Sequence, residues 1–450
     1  MSESATSARV SGTHLSEAEI DWTPYLVASR GPRAGRVVSG TEAVRAIPDG
    51  ARVFVGASCA TPVRLVEDLA AERAHFSRLE IVAGHLRERL AAFDYPGEPF
   101  TFTSLQASGV LNELRKTDVL DILPCRYSDF GRLFVQGGVY PVDVALVQVS
   151  APGPRGQVSL GVSVGSTVDV VRDAPLVIAQ MNPGMPYTHG AGELPMQAFD
   201  FLVEYEAPIT EVESGPVEAV TRAIASHVAG EIPDGATLQF GIGAVPDAIV
   251  QALSGHRDLG LHGGMIGDAC IDLVESGVLN GVRKEFGRGS LVAGEIIGSR
   301  RLYDWVDRNP AVRMAPAACS HGVAVLSACP DFVAINSAIE VQLDGAVNSE
   351  TIAGQPVAGP GGQPDFAIAA SLGATHRSIL AFPSTAAGGR VSRIVRRLSA
   401  DATLTLPRFL VDRVVTEYGV ARLRELPLRA RARALSEIAH PDFRAALSQA

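Results

Sequence analysis

The chain has 450 residues, of which 46% are hydrophobic and 20% are charged, and this composition is typical of a folded protein with two or three domains. Its net charge of −10 argues against nucleic acid as the main partner, because binding a polyanion needs a basic surface. The start of the chain has no signal-peptide pattern and no run of about 18 apolar residues occurs, so we expect a cytoplasmic protein that does not span a membrane.

The predicted elements alternate between strands and helices along the chain. The strand-like segments are RVFVG, ALVQVS, PLVIAQMN, TLQFGIG, VAINSAIEV and SILAFPS. Segments with helical spacing of apolar residues are PVRLVEDLAAERAHF, PVEAVTRAIASHVAG and VPDAIVQALSG. A strand, a glycine-containing turn and a helix in succession predict an α/β fold with largely parallel sheets.

One internal repeat divides the chain. Residues 47–69 and 232–253 both begin with Ile-Pro-Asp-Gly-Ala and continue into a strand, a glycine, a turn and a helix. Ile-Pro-Asp-Gly is a common turn on its own, but the match continues beyond the turn and therefore favours duplication. A polar segment with Pro and Gly near residues 206–220 marks the boundary between the copies. We predict a polar extension over residues 1–30 and two related α/β domains over residues 31–210 and 211–450.

Cysteine spacing gives no sign of disulfides or of a metal site. The five cysteines are scattered, odd in number and without a Cys-x-x-Cys pair. Buried thiols in a reducing compartment are the expected state, and no metal is expected. Cys270 follows a glycine turn and could be catalytic, but its apolar neighbours favour a place in the core.

Two glycine clusters are candidates for ligand binding. The first ends a predicted strand at a helix start, where backbone amides can approach an anion or a developing oxyanion. The second lies between two strand-like segments, and it is either a flexible surface loop or a loop that lets a ligand lie against the backbone. Their residues are Gln239, Phe240, Gly241, Ile242 and Gly243 for the first, and Gly359, Pro360, Gly361 and Gly362 for the second.

A third glycine pair stands in the segment LHGGMIGDACIDLVESG. It lies between a polar strand end and an apolar helix, as active-site turns do. Gly263 and Gly264, however, have no side chain that could act in catalysis. The pair is either a structural turn or a site from which a catalytic group has been removed.

Several segments in this order resemble the acetyl-CoA hydrolase/transferase family, which includes the acetate and 4-hydroxybutyrate CoA-transferases. They are QFGIGAVPDAIVQAL, DLGLHGGMIGDACIDLVESG, RLYDWVDRNP, INSAIEVQLDGAVNSE, GPGGQPDF, PSTAAGGRVSRIV, VVTEYGVARLR and IAHPDFR, with VALVQVSAPGPRGQVSLGVSVG and MNPGMPYTHG in the first half. The resemblance covers most of residues 47–446.

The resemblance implies two CoA-transferase-type α/β domains, with acyl-CoA bound mainly on the second. The first glycine cluster would then contact CoA and help form the oxyanion hole, and the second would line the CoA and acyl site. Family members carry a nucleophilic Glu in a His-Thr/Ser-Glu-Met turn, whereas this chain has Gly264 at that position, with His262 and Met265 retained. The family Glu attacks the thioester and stores the acyl group as a mixed anhydride, which glycine cannot do.

Three hypotheses follow from this departure. In the first, a carboxylate from elsewhere replaces the nucleophile, and Glu295 is the candidate unless it is paired with Arg300 or Arg301. In the second, the acyl group passes directly to water, an amine or a carbon nucleophile, with His262 or Glu295 as base unless His262 is structural. In the third, the protein binds acyl-CoA without catalysis or is a partner subunit. We predict an acyl-CoA-utilising enzyme with a small-molecule acceptor, CoA as substrate without another cofactor, and a homodimeric state.

Overall fold

The computed structural model describes residues 20–448, except residues 108, 116 and 214. Strands and helices alternate through this part of the chain, which confirms the predicted α/β class. Most of the predicted extension, residues 1–19, lies outside the described residues, and the part that follows holds a 3-10 turn at Thr23–Tyr25. None of the described helices has the length and apolar character required to cross a bilayer.

The described residues of the first half of the chain, from residue 20 onward, form ten strands and four α-helices. They are β1 (Arg36–Val37), α1 (Gly40–Arg45), β2 (Arg52–Val55), α2 (Val63–Ala71), β3 (Leu79–Ala83), β4 (Phe100–Ser104), β5 (Leu120–Ile122), α3 (Phe130–Leu133), β6 (Val144–Val149), β7 (Gln157–Ser159), α4 (Thr167–Asp173), β8 (Leu176–Met181), β9 (Glu193–Pro195) and β10 (Phe201–Glu204).

In the second half, the residues that the structure describes up to residue 448 form fifteen strands and nine α-helices. They are α5 (Ala219–Ala229), β11 (Thr237–Phe240), α6 (Ala244–Ala252), β12 (Gly260–Ile266), α7 (Ala269–Glu275), β13 (Leu291–Ile296), α8 (Arg300–Val306), β14 (Val312–Met314), α9 (Ala317–Ser320), α10 (Val323–Ser327), β15 (Val333–Asn336), β16 (Glu340–Gln342), β17 (Val347–Asn348), β18 (Thr351–Ile352), β19 (Gln355–Pro356), α11 (Gln363–Ser371), β20 (Arg377–Ala381), β21 (Thr385–Ala386), β22 (Val391–Ser392), β23 (Ile394–Val395), β24 (Arg413–Thr416), β25 (Gly419–Arg422), α12 (Leu428–Glu437) and α13 (Pro441–Ser448).

Each half of the chain builds one eight-stranded sheet, and the two sheets share a topology. The first has the order β1-β10-β8-β6-β2-β3-β4-β5, and the second has the order β14-β13-β12-β11-β15-β20-β24-β25. In each sheet a central strand, β2 or β11, is followed by three strands on one side, and the chain then returns to add the remaining strands on the other. The exception is β1, which precedes β2 in the chain and forms an edge of the first sheet. Strand β1 joins its edge in parallel, whereas β25 joins its edge antiparallel. The shared strand order supports the duplication that the sequence repeat predicts.

The repeat falls on the first central strand and helix of each half. Residues 47–69 contain β2 and most of α2, and residues 232–253 contain β11 and α6. The turn glycines Gly50 and Gly235 have φ values of 80° and 83°, a left-handed conformation that favours glycine. The same type of turn thus precedes the central strand of each sheet, because both turns need a residue with a positive φ.

Helices cover both sheets, so the central strands are buried along their length. All six residues of β6 and all six of β13 are buried, as expected for parallel strands with covered faces. One apolar cluster includes residues of both sheets, among them Val147 and Ala293. The segment between β10 and α5, residues 205–218, contains the predicted domain boundary and forms no strand or helix over its described residues.

Candidate active site

A cavity of about 260 Å³ lies where the carboxyl ends of the central strands of the two sheets meet. Ligand sites in open parallel sheets form at this edge, beside the point where the strand order reverses. The first half contributes residues that follow β2, β3 and β4, and the second half contributes the ends of β11, β12, β13 and β15. The lining residues are Ala57, Ser58, Gly84, His85, Gln106, Tyr127, Phe130, Ser166, Gln239, Phe240, Gly241, Gly264, Met265, Glu295, Ile297, His321, Asn336, Gly361, Gly362, Gln363 and Phe366.

Glu295 brings a carboxyl group to this cavity from the end of β13, where its backbone pairs with Met265 on β12. The residue is 6% exposed, and its Oε1 accepts a hydrogen bond of 2.7 Å from the Tyr127 hydroxyl. Its Oε2 makes no hydrogen bond of normal geometry among the described residues. Burial raises the pKa of Glu295 to about 7, although the side-chain hydroxyls of Ser163 and Tyr127 partly oppose the shift.

The arginines that follow Glu295 in the sequence do not pair with it. Arg300 forms an ion pair of 2.8 Å with Asp304, and Arg301 forms one of 2.5 Å with Asp272. The structural alternative for Glu295 that the sequence left open is therefore wrong. A buried carboxyl group without a cationic partner is costly to maintain and is a typical feature of functional sites.

Gly264 lies on β12 and faces the ring of His321. A Cβ atom at position 264 would stand 3.0 Å from His321 Nε2 and 3.7 Å from Phe366 Cζ. The His321 ring packs between Tyr127 and Phe366, with ring centroids 4.2 Å and 4.8 Å away. The histidine ring thus fills space that a side chain at position 264 would need.

Gly263 makes room for a different neighbour. Its φ is not positive, and a Cβ atom there would stand 2.6 Å from Gln239 Cγ. Gln239 in turn accepts a hydrogen bond of 3.1 Å from the side-chain amide of Asn336. These two amides join β11 to β15, where the strand order reverses. The first glycine of the pair is therefore explained by close packing of Gln239.

His262, the other candidate base, does not line the cavity. It is fully buried, its Nε2 lies 3.2 Å from the carbonyl oxygen of Cys319, and its ring packs against Phe286. Burial lowers the pKa of His262 to about 3. Cys270 is also fully buried, within the apolar core. The structure places both groups away from the cavity wall.

The glycine clusters reach the cavity in part. Gln239, Phe240 and Gly241 line it, as do Gly361 and Gly362, whereas Ile242, Gly243, Gly359 and Pro360 do not. The second cluster is not a free surface loop, because its backbone forms hydrogen bonds with two residues of the first half of the chain. Gly359 N donates to Gln106 Oε1 at 2.8 Å, and Gly361 O accepts from Tyr127 N at 3.0 Å.

Sequence reasoning found Gly264, Glu295 and five of the glycine-cluster residues on this wall, but it missed Tyr127 and His321. Tyr127 follows β5 in the first half of the chain, and His321 follows the short helix α9 in the second half. Each stands as a lone polar ring near apolar residues, which is too weak a signal in a sequence to mark a site. Only the folded chain brings them to Glu295 and Gly264.

Two large, mostly parallel sheets covered by helices, with a cavity at their carboxyl edges, define the class of fold, and comparison with known sequences identifies the family. The chain matches the acetyl-CoA hydrolase/transferase N-terminal domain over residues 30–213 and the C-terminal domain over residues 298–450. This protein belongs to the acetyl-CoA hydrolase/transferase family.

Characterised relatives and solved structures agree with this assignment. The chain is 38% identical to 4-hydroxybutyrate coenzyme A transferase of Clostridium kluyveri, over 92% of this chain and 96% of that protein. The structure of RipA from Yersinia pestis superposes with a TM-score of 0.85 at 28% identity, covering 92% of this chain and 96% of that one. The 4-hydroxybutyrate CoA-transferase of Porphyromonas gingivalis has a TM-score of 0.76 at 36% identity, with the same coverage.

Proposed function

We propose that this protein is an enzyme that transfers the acyl group of a short acyl-CoA, with Glu295 as the reactive carboxyl group. CoA acts as a substrate in this proposal, no other cofactor takes part, and the enzyme works as a homodimer. The observation that carries it is Glu295 itself, a buried carboxyl group in the cavity wall that has hydroxyl neighbours, Tyr127 and Ser163, and no ion pair with Arg300 or Arg301. Membership of the family supports acyl-CoA as the substrate class.

Glu295 can act in two ways. As a nucleophile, its carboxylate would attack the thioester carbonyl, expel CoA thiolate and form a mixed anhydride. As a base, it would take a proton from the acceptor while the acceptor attacks the same carbonyl. A pKa of about 7 favours the second role, because a base works best when its pKa lies near the operating pH. Direct transfer to the acceptor is therefore the mechanism we propose.

The glycine clusters lie at helix N-termini that would stabilise negative charge on the thioester carbonyl oxygen. Gly243 and Gly362 are the N-cap residues of the nine-residue helices α6 and α11, so the N-terminal amides of these helices point toward this edge of the sheet. Helix N-termini stabilise negative charge, including that of a tetrahedral oxyanion. In this proposal the cavity holds the acyl group and the thioester of acyl-CoA, and the rest of the CoA molecule extends along the N-termini of α6 and α11.

Incubation with a panel of acyl-CoAs and acceptors tests the proposal directly. We expect free CoA thiol and an acylated product, identified by mass spectrometry, with acetyl-CoA or another short acyl-CoA. Calorimetry under the same conditions measures acyl-CoA binding. It thereby distinguishes the enzyme from the remaining alternative, a protein that binds acyl-CoA without catalysing a reaction. Tight binding of every acyl-CoA tested with no product from any of them would contradict the enzyme assignment.

Substitution of the glycines tests where CoA binds. Gly243→Val and Gly361→Val should each raise the Kd for CoA at least about tenfold, because the new side chain stands where the ligand must approach the backbone. Both glycines have positive φ, so strain of about 1–3 kcal/mol accompanies each change.

Gly277→Val is the matched control for that strain. Gly277 is exposed after α7, has a φ of 77°, and has no atom within 4 Å of an added Cβ, as is true of Gly243. The control should lose stability but keep its CoA affinity in calorimetry. Undiminished CoA binding by both test variants would place the CoA site elsewhere.

A further inference from the structure

The hydroxyl group that binds Glu295 comes from the other half of the chain. Tyr127 lies in a short 3-10 turn of the first half, and its hydroxyl is 2.7 Å from Oε1 of Glu295, near the end of β13 in the second half. Burial, together with the neighbouring Glu295 carboxylate, raises the pKa of Tyr127 well above its usual range, so the phenol keeps its proton. The phenol is therefore a neutral donor, and its hydrogen bond favours the ionised form of Glu295.

The turn that carries Tyr127 is docked on the start of α11. Tyr127 N donates to the carbonyl oxygen of Gly361 at 3.0 Å. The next residue, Ser128, donates twice to the Asp365 carboxylate, from its backbone N–H at 3.1 Å and from its hydroxyl at 2.7 Å. Arg126 lies 3.5 Å from the same carboxylate, which is 0% exposed. These contacts anchor the turn of the first half to a buried group of the second half.

Two neighbouring rings limit the directions that the phenol can take. The centroid of the Tyr127 ring lies 4.2 Å from that of His321 and 4.6 Å from that of Phe130. A side chain that is held at its backbone by α11 and packed against two rings has little rotational freedom. The direction left to its hydroxyl group is the one toward Glu295.

The other titratable side chains near Glu295 are uncharged around neutral pH. His321 and His85 line the same cavity. Burial lowers the pKa of His321 to about 3 and, together with the Arg87 charge, that of His85 to about 4. Burial raises the pKa of the Cys59 thiol, on which the charges of Arg87 and Glu295 also act. These three groups therefore keep the same protonation state while Glu295 titrates.

Two hydroxyl groups of the first half act on the Glu295 carboxyl group itself. The hydroxyls of Ser163 and Tyr127 both lower its pKa, against the larger effect of burial. Ser163 pairs with Glu295 through an isolated backbone bridge, but its Oγ makes no hydrogen bond of normal geometry among the described residues. Tyr127 makes one of 2.7 Å. The Tyr127 hydroxyl is therefore the group whose geometry can orient the carboxyl group.

We propose that Tyr127 is a positioning residue for the reaction: it reaches Glu295 from the other half of the chain, orients the carboxyl group and stabilises its ionised form. Docking of the Tyr127 turn on α11 keeps the phenol in this place. The inference rests on the proposed acyl-transfer function, in which Glu295 is the base. It makes the strength of that base depend on contact between the two halves, because neither half contains both the carboxyl group and its donor.

Tyr127→Phe tests the hydrogen bond. Phe keeps the packed ring and the backbone bond to Gly361 but removes the hydroxyl, so the ionised form of Glu295 loses a donor and its pKa should rise. Because the ionised carboxylate is the active form, the midpoint of the pH–rate profile should move to higher pH by at least about half a unit. The rate should then fall at least about threefold further at pH 6 than at pH 9, while the Kd for acetyl-CoA stays within about twofold.

Ser128→Ala tests the docking of the turn. It removes the hydroxyl bond to Asp365 but leaves the Tyr127 hydroxyl and the backbone bonds of both residues. The midpoint should move in the same direction as in Tyr127→Phe, by a smaller amount. A wild-type midpoint in Ser128→Ala would show that docking on α11 does not hold the phenol in place.

Tyr187→Phe is the matched control. The Tyr187 hydroxyl also donates to a glutamate, Glu193, at 2.9 Å, but neither residue lines the cavity, so this variant should keep the wild-type midpoint. A wild-type midpoint in Tyr127→Phe, or a loss of rate that is equal at every pH, overturns the inference. If Glu295→Gln is inactive in that case, the proposed function still stands. Wild-type turnover in Glu295→Gln would instead remove the proposed function itself.

Discussion

Glu295→Gln is expected to lower the rate of acyl transfer by about a thousandfold and to leave the Kd for acetyl-CoA within about twofold of wild type. The amide matches the carboxyl group in shape and can still accept the Tyr127 hydrogen bond at Oε1. It cannot take a proton from an acceptor or attack a thioester. A positioned general base contributes about a hundredfold to ten-thousandfold in rate, so its removal should dominate kcat.

The pH profile of the wild-type enzyme follows from the same group. Glu295 acts when ionised, and burial raises its pKa to about 7. The rate should therefore be low below pH 6, rise through pH 7 and level off above it. The residual activity of Glu295→Gln should lack this rise, which is measured by steady-state kinetics between pH 5 and 9.

Asp169→Asn is the matched control for removing a buried acid. Asp169 is 1% exposed, and burial raises its pKa to about 6, but it accepts a hydrogen bond from Val27 N and does not line the cavity. The control should keep the wild-type rate and profile. A Glu295→Gln enzyme with wild-type turnover would assign the chemistry to another group. Label trapped on Glu295 by hydroxylamine or borohydride would instead support the nucleophile route.

The fold could be predicted from the sequence because its determinants are local. Apolar β-branched runs, glycine turns and helical spacing recur along the chain, and the Ile-Pro-Asp-Gly repeat marks the central strand of each sheet. Glu295 was also visible, because an acid within the apolar run LVAGEII is unusual. Its environment was not visible, since Tyr127 comes from 168 positions away in the sequence.

The reason for each glycine of the pair could not be predicted either. Position 263 is limited by Gln239, and position 264 faces His321, and both neighbours come from other elements of the fold. The sequence left open whether the pair is a structural turn or a site that has lost a catalytic group. The structure places the His321 ring beside position 264, so any group that enters this space contacts the ring.

Restoring a carboxylate at position 264 should therefore need two changes. Gly264→Glu alone puts a Cβ atom 3.0 Å from His321 Nε2, so the ring must shift and the new side chain will be misplaced. Gly264→Glu with His321→Asn shortens that neighbour and leaves room for the carboxylate. The double variant should form a glutamyl-CoA adduct, detected by mass spectrometry after trapping, and should gain transfer to carboxylate acceptors. It should also lose at least about a hundredfold of the native reaction, because the new carboxylate fills the space beside position 264 and the His321 ring is gone.

Gly255→Glu is the control for adding a negative charge. Gly255 is exposed after α6, and an added Cβ there meets no atom within 4 Å, so CoA binding and turnover should match wild type. An adduct in the double variant would show that the glycine clusters still hold the thioester in position for attack from residue 264, as the family resemblance implies for that position. A double variant that folds, binds CoA as tightly as wild type and forms no adduct would mean that the carbonyl does not lie beside Gly264. In that case direct transfer would have to take place from another side of the cavity, because attack from the space beside Gly264 requires the same placement of the thioester.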